Sequence, residues 1–174
     1  MSPLKRPAPD SGDARPADLE TAVQRDDKME LKVWLRLLTC STLIERRVRS
    51  NLRDRFGITL PRFDVLAQLD RARDGLAMGE LSRRLMVSNG NLTGLIDRLV
   101  HEGLVSRAPL PHDRRTHLVR LTAAGQTAFD EMAAAHEHWI DVMMAGVDRR
   151  KLRDLFVLLG ELKPSLTRTD EDAG

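Results

Sequence analysis

Apolar residues recur at helical spacing along most of the chain and alternate with polar residues only in one region. From Met29 to about Phe56 they fall on one broad stripe with a 3.6-residue period, and Gly57 is expected to end this helix. A second helix is expected after Thr59, a plausible N-cap, with Pro61 inside its first turn, where the missing N–H carries no penalty. Two amphipathic helices therefore open the patterned part of the chain.

Two shorter helices are predicted next, after a turn around Gly75. The segment GELSRRLMVS predicts the first of them, and SNGNLTGLIDRLVHEG predicts the second. Ser88 is a favourable N-cap because its hydroxyl can accept a hydrogen bond from a backbone N–H, and Gly103 is favourable for ending the same helix. The close succession of these helices indicates a helix-turn-helix.

Alternating residues then predict two short strands, LVSRAPL and HLVRLT, with PHDRRT between them at the tip of a hairpin. A long helix is expected from Thr122 to about Ala145. The last helix is expected to follow Asp148 as its cap, with Pro164 near its end. A hairpin that directly follows a helix-turn-helix is the arrangement of a winged helix.

The order of elements thus predicts a mainly α fold with a small β-hairpin wing, a winged helix-turn-helix between flanking dimerisation helices. The apolar stripes of the flanking helices exceed what so small a core can cover, so we expect a second copy to bury them. The predicted domain covers 28–168, with the winged helix at about 58–121 and the dimerisation helices at about 29–56 and 122–167. Residues 1–27 are expected to form a disordered arm, and 169–174 a flexible tail.

Composition narrows the possible functions. The 174 residues are 41% hydrophobic and carry a formal net charge of only +2, so bulk charge alone does not indicate a nucleic-acid partner. Aromatic residues make up 3%, which disfavours single-strand binding by base stacking. The single cysteine, Cys40, excludes an internal disulfide. We see no signal peptide and no membrane span, and therefore expect a cytoplasmic protein without a membrane partner.

The second short helix carries the residue types that read DNA. A helix in the major groove contacts base edges mainly with its first turns, where Asn can pair with adenine and Ser or Thr can donate or accept. The candidate contacts are Ser88, Asn89, Asn91, Thr93 and Arg98. Gly90 and Gly94 weaken a helix but leave room for close approach to phosphates, which argues against the alternative of an ordinary surface helix.

The predicted hairpin tip carries two adjacent arginines, Arg114 and Arg115. If the second short helix is the recognition helix that enters the major groove, the hairpin beside it places these arginines at the neighbouring minor groove, where A-tracts concentrate negative potential. Asp113 is suited to brace a neighbouring guanidinium by a charge-assisted hydrogen bond. The alternative is a solvated turn with a weak Asp–Arg pair.

The segments GELSRRLMVSNGNLTGLIDRLVHEGLVSR and DRRTHLVRLTAAG, in this order, resemble the MarR family of winged-helix transcription factors, and the resemblance runs from about Leu35 to Leu162. It implies an obligate homodimer with interlocked first and last helices, bound to a pseudo-palindromic operator. It also implies base contacts by Ser88, Asn89, Asn91 and Thr93 and a groove contact by Arg115. The chain departs from the family at Met86, where glycine is common, and at Gly94, where a larger polar residue is frequent.

The resemblance further implies a small-molecule effector between the dimer helices and the DNA-binding lobe, and no cofactor. The stretch VSNGNLTGLIDRLVHEGLV resembles the subgroup that governs aromatic-acid catabolism, some of whose members respond to aromatic acyl-CoA thioesters. The cleft is expected to be lined by Trp34, Arg36, Leu37, Cys40, Ser41, Arg62, Phe63, Leu66, His136, Trp139 and Ile140. Arg36 or Arg62 would suit a carboxylate, and ERRVRSNLRDR could hold CoA phosphates. Core packing and a solvated helix face are the alternatives.

Other chemistries find less support in the sequence. Cys40 has no partner cysteine, so an inert thiol is favoured over a redox switch. His136 and His138 are two residues apart and diverge on a helix, so no metal site is expected there. We expect no enzyme, since paired carboxylates, an activated nucleophile and a phosphate-binding loop are all missing from the sequence. A dimeric winged-helix module that binds protein instead of DNA is the alternative, and it predicts no salt-dependent affinity for duplex.

Overall fold

The computed structural model describes residues 28–110 and 113–167. The predicted disordered arm, the flexible tail and the hairpin tip at residues 111–112 lie outside this part, as do the side chains of residues 110, 113–115 and 167. The elements are α1 (Met29–Phe56), α2 (Leu60–Asp70), β1 (Leu76–Ala77), α3 (Met78–Leu85), α4 (Asn89–His101), β2 (Val105–Leu110), β3 (Asp113–Leu121), α5 (Ala123–Met144) and α6 (Arg149–Thr167). A mostly helical chain with a small antiparallel sheet confirms the predicted fold class.

The chain divides into two compact units, Met1–Arg47 and Val48–Gly174, and the boundary falls inside α1. In the first unit the structure describes the beginning of α1, which exposes large apolar side chains, among them Trp34 at 58%. In the second unit, α2, α3, α4, α5 and the sheet enclose a core. Its fully buried side chains are Leu52, Val65, Leu66, Leu69, Leu81, Leu92, Ile96, Leu99 and Val119. Each contributes about 1.5–3 kcal/mol, so this core can hold the winged helix together.

Side-chain hydrogen bonds fix the starts of three helices. Ser88 and Thr122 each accept a hydrogen bond from the N–H three residues later, at 3.4 and 2.9 Å, and Asp148 accepts one from the N–H two residues later, at 2.8 Å. Thr59 occupies the N-cap position of α2, but its side chain makes no capping bond. The reason is local, because Pro61 has no N–H and the N–H of Arg62 donates to the Thr59 carbonyl at 3.0 Å.

The sheet has three antiparallel strands in the order β1-β3-β2, one more than the sequence predicts. Gly75 does form the expected turn, with φ of +88°. Leu76 and Ala77, however, continue from that turn as β1 and pair with β3 opposite Val119 and Leu118. Two residues are too short to display alternation, so this strand is defined by its partner and not by its own sequence.

The wing also differs from its prediction, because β3 begins at Asp113 and not at His117. The two long strands pair in regular register as far as Pro109↔His117, and the next pair is Leu110↔Asp113. Residues 114–116 of β3 therefore have no counterpart on β2. The two arginines predicted at the tip belong to this stretch of β3, a bulge or irregularity in the register of the two strands.

Candidate nucleic-acid interface

The helix-turn-helix of α3 and α4 exposes the polar side of α4. Its apolar residues Leu92, Ile96 and Leu99 are fully buried, and this fixes the rotation of the helix about its axis. The opposite side carries most of the predicted contact residues. Ser88, Asn89, Asn91 and Arg98 are exposed, and Thr93 is half-buried. The first two turns of α4 therefore present several hydrogen-bonding groups to the outside of the molecule.

The two glycines of α4 leave its backbone accessible on this side. A Cβ added at Gly90 or Gly94 would meet nothing within 4 Å, so no contact within the chain requires glycine at either position. Both line a groove of about 500 Å³ together with Asn91 and Arg98. This arrangement brings Arg98 into one surface with the earlier residues of the helix, although it lies in the last turns of α4.

Thr93 has a hydrogen-bonding role inside α4. Its hydroxyl donates to the Asn89 carbonyl at 2.9 Å, so its hydrogen is taken by the helix backbone. The oxygen of Thr93 keeps its capacity to accept a hydrogen bond. Thr93 and Asn89 also line a cleft of about 240 Å³ with residues of α3 and of both long strands. The recognition helix and the wing thus share one concave surface.

That cleft contains two basic residues that the sequence analysis missed, Arg107 on β2 and His117 on β3. The Arg107 guanidinium donates to the Asp97 carboxylate at 3.4 Å, which links the wing to α4. The Arg107 side chain is about one-third exposed. The place of Arg107 in this cleft had no signal in the sequence beyond its position in a short strand, because only the packing of β2 against α4 brings it into one cleft with Asn89.

The predicted wing contacts can be assigned only to backbone positions. Asp113, Arg114 and Arg115 lie in β3, and Arg114 and Arg115 fall in its bulge. Their side chains lie outside the described part of the structure, so the contact of Arg115 with a groove and the bracing role of Asp113 stay predictions.

Helix α3 carries an acidic side chain that is paired with two arginines of the same helix. The Glu80 carboxylate accepts hydrogen bonds from Arg84, at 2.8 Å, and from Arg83. Hydrogen bonds from Arg84 and then Arg83 lower the pKa of Glu80 from its ordinary value, so the carboxylate is held ionised. Both arginines stay exposed enough to face a polyanion, Arg83 the more so.

The predicted effector residues divide between the two units. Trp34, Arg36, Cys40 and Ser41 are exposed and Leu37 is half-buried, all on the first half of α1. In the second unit, Phe63 and Leu66 are buried, whereas Arg62, His136, Trp139 and Ile140 are half-buried. The rings of Phe63 and His136 lie 5.1 Å apart, and those of Phe56 and Trp139 lie 6.2 Å apart. Phe63 and Leu66 therefore have core-packing roles.

Arg62 lines a cleft of about 300 Å³ in the second unit. Its side chain is 11% exposed and forms an ion pair with Glu102, the C-cap residue of α4. Burial lowers the pKa of Arg62 from its usual value, and the positive charge of Arg98 adds to this effect. The Nε of Arg62 is buried without a hydrogen-bond partner among the described residues, so it could donate to an oxygen supplied from outside.

Two properties of residues 28–110 and 113–167 bear on the possible functions. This part of the chain holds no group of three or more His, Cys, Asp or Glu side chains arranged to hold a metal ion. Nor does any of its helices have the length and apolarity needed to cross a membrane.

Known proteins resemble this chain in sequence and in fold. A profile described as the MarR family matches residues 56–116. A MarR family transcriptional regulator of known structure from Silicibacter pomeroyi is 31% identical, with a TM-score of 0.70, and the match covers 82% of this chain and 100% of that one. This match covers more of the chain than the winged helix alone.

Two curated proteins give further sequence matches. The transcriptional activatory protein BadR of Rhodopseudomonas palustris is 36% identical over 112 residues, which are 62% of this chain and 63% of BadR. The HTH-type transcriptional repressor YetL of Bacillus subtilis is 32% identical over 108 residues, which are 61% of this chain and 64% of YetL. The chain thus spans slightly less than two thirds of each of these relatives.

Proposed function

Because this chain belongs to the MarR family of transcriptional regulators, we propose that it is a DNA-binding regulator that responds to a small molecule. The observation that carries the proposal is the exposed polar side of α4, held in place by the buried Leu92, Ile96 and Leu99. An α-helix fits the major groove, and Asn and Ser there can read base edges. We assign the chain no catalytic activity.

In this proposal each group has a distinct role at the DNA. Asn89 and Asn91 read bases, and Ser88 and Thr93 accept or donate at base edges or phosphates. Arg98 contacts phosphate, Arg115 enters the minor groove, and Asp113 and Arg114 support that contact. Arg107 and His117 extend this surface between α4 and the wing. Phosphate contacts supply affinity and base contacts supply sequence preference, so the two sets are separable by experiment.

We propose that the regulator acts as a homodimer. Helix α6 exposes a run of large apolar side chains in this single chain, including Phe156 at 80% and Leu158 at 61%. The first half of α1 does the same with Val33 and Trp34. An exposed apolar area of this length is a liability unless a partner covers it. A two-fold dimer then binds a pseudo-palindrome with half-sites about 34–36 Å apart.

We further propose that the protein is a repressor released by an aromatic acid or its CoA thioester. The resemblance of α4 to regulators of aromatic-acid catabolism supports the ligand class. The relatives BadR and YetL are named an activator and a repressor, so the direction of regulation is part of the proposal. At the cleft beside Phe56, the buried Arg62 Nε offers an unfilled donor to a ligand oxygen. Such a ligand would approach Glu102 at the end of α4.

Fluorescence anisotropy with the duplex upstream of the protein's own gene tests the proposal. The protein is titrated at 50 mM and 200 mM salt against this duplex and a scrambled one. We expect tight binding to the upstream duplex that falls at least tenfold at the higher salt, because protein cations displace condensed counterions. Weak binding that is equal for both duplexes and unchanged between the two salt concentrations would contradict it and favour the protein-binding module.

The effector is tested in the same assay with a panel of aromatic acids and their CoA thioesters. Release of the duplex by one compound identifies the ligand class, and Arg62→Gln should weaken that release without altering binding to DNA in the absence of compound. Tight DNA binding that no member of the panel releases would contradict the effector proposal alone. A reporter gene behind the upstream duplex then distinguishes repression from activation.

A further inference from the structure

Met86, in the turn between α3 and α4, has an unusual backbone conformation for its residue type. Its φ of 53° and ψ of 38° place it in the left-handed region, and among the described residues every other position with positive φ is a glycine. The Met86 side chain is 93% exposed. A methionine thus occupies a strained position without gaining any burial within its own chain.

The strain is imposed by hydrogen bonds of the turn and not by the Met86 side chain. The Met86 N–H donates to the Arg83 carbonyl at 3.2 Å, and the Val87 N–H donates to the Ser82 carbonyl at 3.2 Å. The buried Ser82 hydroxyl donates to the Val87 carbonyl at 2.6 Å, which closes the turn from the other side. This is the pattern that ends a helix with a left-handed residue, and glycine would satisfy it without strain.

A residue that is strained, exposed and apolar has no evident role in stability, and such outliers concentrate at functional sites. Met86 lies two residues before Ser88, the N-cap of α4, and three residues before the exposed Asn89, the first residue of that helix. Its neighbours are therefore the groups proposed to enter the major groove. In that groove the apolar feature of the base pairs is the 5-methyl group of thymine.

We infer that Met86 is a specificity-determining residue that packs against a thymine methyl group beside the bases read by α4. The long and flexible thioether side chain can adapt to a methyl group presented at the groove wall. This inference rests on the proposed function of α4 as a recognition helix. It predicts a thymine preference at one position in each half-site, in addition to the preferences set by asparagine.

The test compares wild type with Met86→Gly and Met86→Gln. Gln has nearly the length of Met and the same strained backbone, but it is polar, whereas Gly removes both the strain and the side chain. Duplexes are selected from a randomised pool with the wild type, and each thymine is then replaced singly by uracil, which lacks only the methyl group. We expect uracil at one position of each half-site to weaken wild-type binding about fourfold.

At that position, replacing thymine by uracil should not change the affinity of either variant. Uracil at any other position should affect the affinity of all three proteins alike. Met86→Gly should also unfold at a higher temperature than wild type, and Met86→Gln should not. If the wild type selects a sequence but responds to each uracil as Met86→Gly does, this inference is overturned and the proposed function stands. A wild type that selects no sequence from the pool overturns both.

Discussion

Gly125, the third residue of α5, lies directly against the backbone of Leu104. A Cβ added at Gly125 would stand 1.8 Å from the Leu104 carbonyl oxygen, and this oxygen belongs to backbone that cannot move aside alone. Gly125→Ala should therefore destabilise the protein by about 1–3 kcal/mol or more, through overpacking at a buried position. Chemical denaturation monitored by circular dichroism measures this change.

Gly79→Ala is the matched control, because Gly79 also lies in the first turn of a helix but has nothing within 4 Å of an added Cβ. It should be neutral or stabilising by up to about 1 kcal/mol. If both substitutions changed stability equally, the close approach of α5 to Leu104 would be wrong.

Asn91 tests how α4 reads sequence. Its side chain is exposed and its backbone N–H is the one capped by Ser88, so Asn91→Ala should leave stability nearly unchanged. Binding to a selected duplex should weaken by about 1–3 kcal/mol, because a base contact is lost. Anisotropy on selected and random duplexes measures both affinities. An equal loss on the two would make Asn91 a phosphate contact instead.

Individual residues also mark where the sequence was informative. The buried residues of α4, Leu92, Ile96 and Leu99, stand four and three positions apart, and this 3.6-residue period is visible in the sequence. Arg107 was missed because its partner, Asp97, is ten residues away and on another element. The failure of Thr59 to cap α2 depended on hydrogen bonds that the residue type alone does not report.

At the scale of elements, the bulge in β3 determines where the wing arginines lie. We expect Arg115→Ala to weaken binding to a selected duplex by about 1–3 kcal/mol while the dimer stays intact. Anisotropy measures the affinity, and sedimentation velocity checks the dimer. Unchanged affinity would contradict the assignment of the wing.

Arg115→Lys separates two versions of the wing contact. A contact through charge alone is largely kept by lysine, whereas a planar guanidinium fitted into a narrow groove is not replaced by an ammonium group. The lysine variant should therefore lose most of the affinity that the alanine variant loses. If it bound like wild type, Arg115 would contact phosphate and not the groove floor.

The longer helices were predicted well because each carries its own signal, an apolar stripe with a cap or a glycine at one end, whereas α3 ends at Leu85, before the end of the predicted segment GELSRRLMVS. α1 began at Met29 and ended at Phe56 as predicted, and φ at Gly57 is +63°. The strands were predicted less well. β1 is a strand because it pairs with β3, and the bulge or irregularity results from a shift in the register between β2 and β3. Both features depend on two segments that are distant in sequence or paired across a turn, so a local pattern does not contain them.

At the scale of the whole molecule, the exposed apolar side of α6 tests the proposed dimer. Phe156→Glu places a charge where we expect a buried interface, and should shift the protein towards monomers and abolish cooperative binding to a two-fold duplex. Lys163→Glu on the same helix is the control, since it changes charge at an exposed polar position.

Sedimentation velocity measures the assembly state of both variants, and circular dichroism verifies that they fold. Phe156→Ala serves as a milder variant if the glutamate prevents folding, and it should weaken the dimer measurably. A Phe156→Glu protein that folds and sediments as a dimer would contradict the role of α6.

Thr122, between β3 and α5, forms hydrogen bonds with the residues that follow α4 and with the first turn of α5. Its hydroxyl donates to the Gly103 carbonyl at 2.7 Å and accepts from the Gly125 N–H at 2.9 Å, while its own N–H donates to the Leu104 carbonyl at 3.1 Å. The end of β3 at Leu121 and the start of α5 at Ala123 are thus separated by Thr122 alone, and this residue is held by hydrogen bonds on both sides. We therefore expect the base of the wing and the first turn of α5 to move together, so that a change in the position of α5 reaches the wing without loss in an intervening loop.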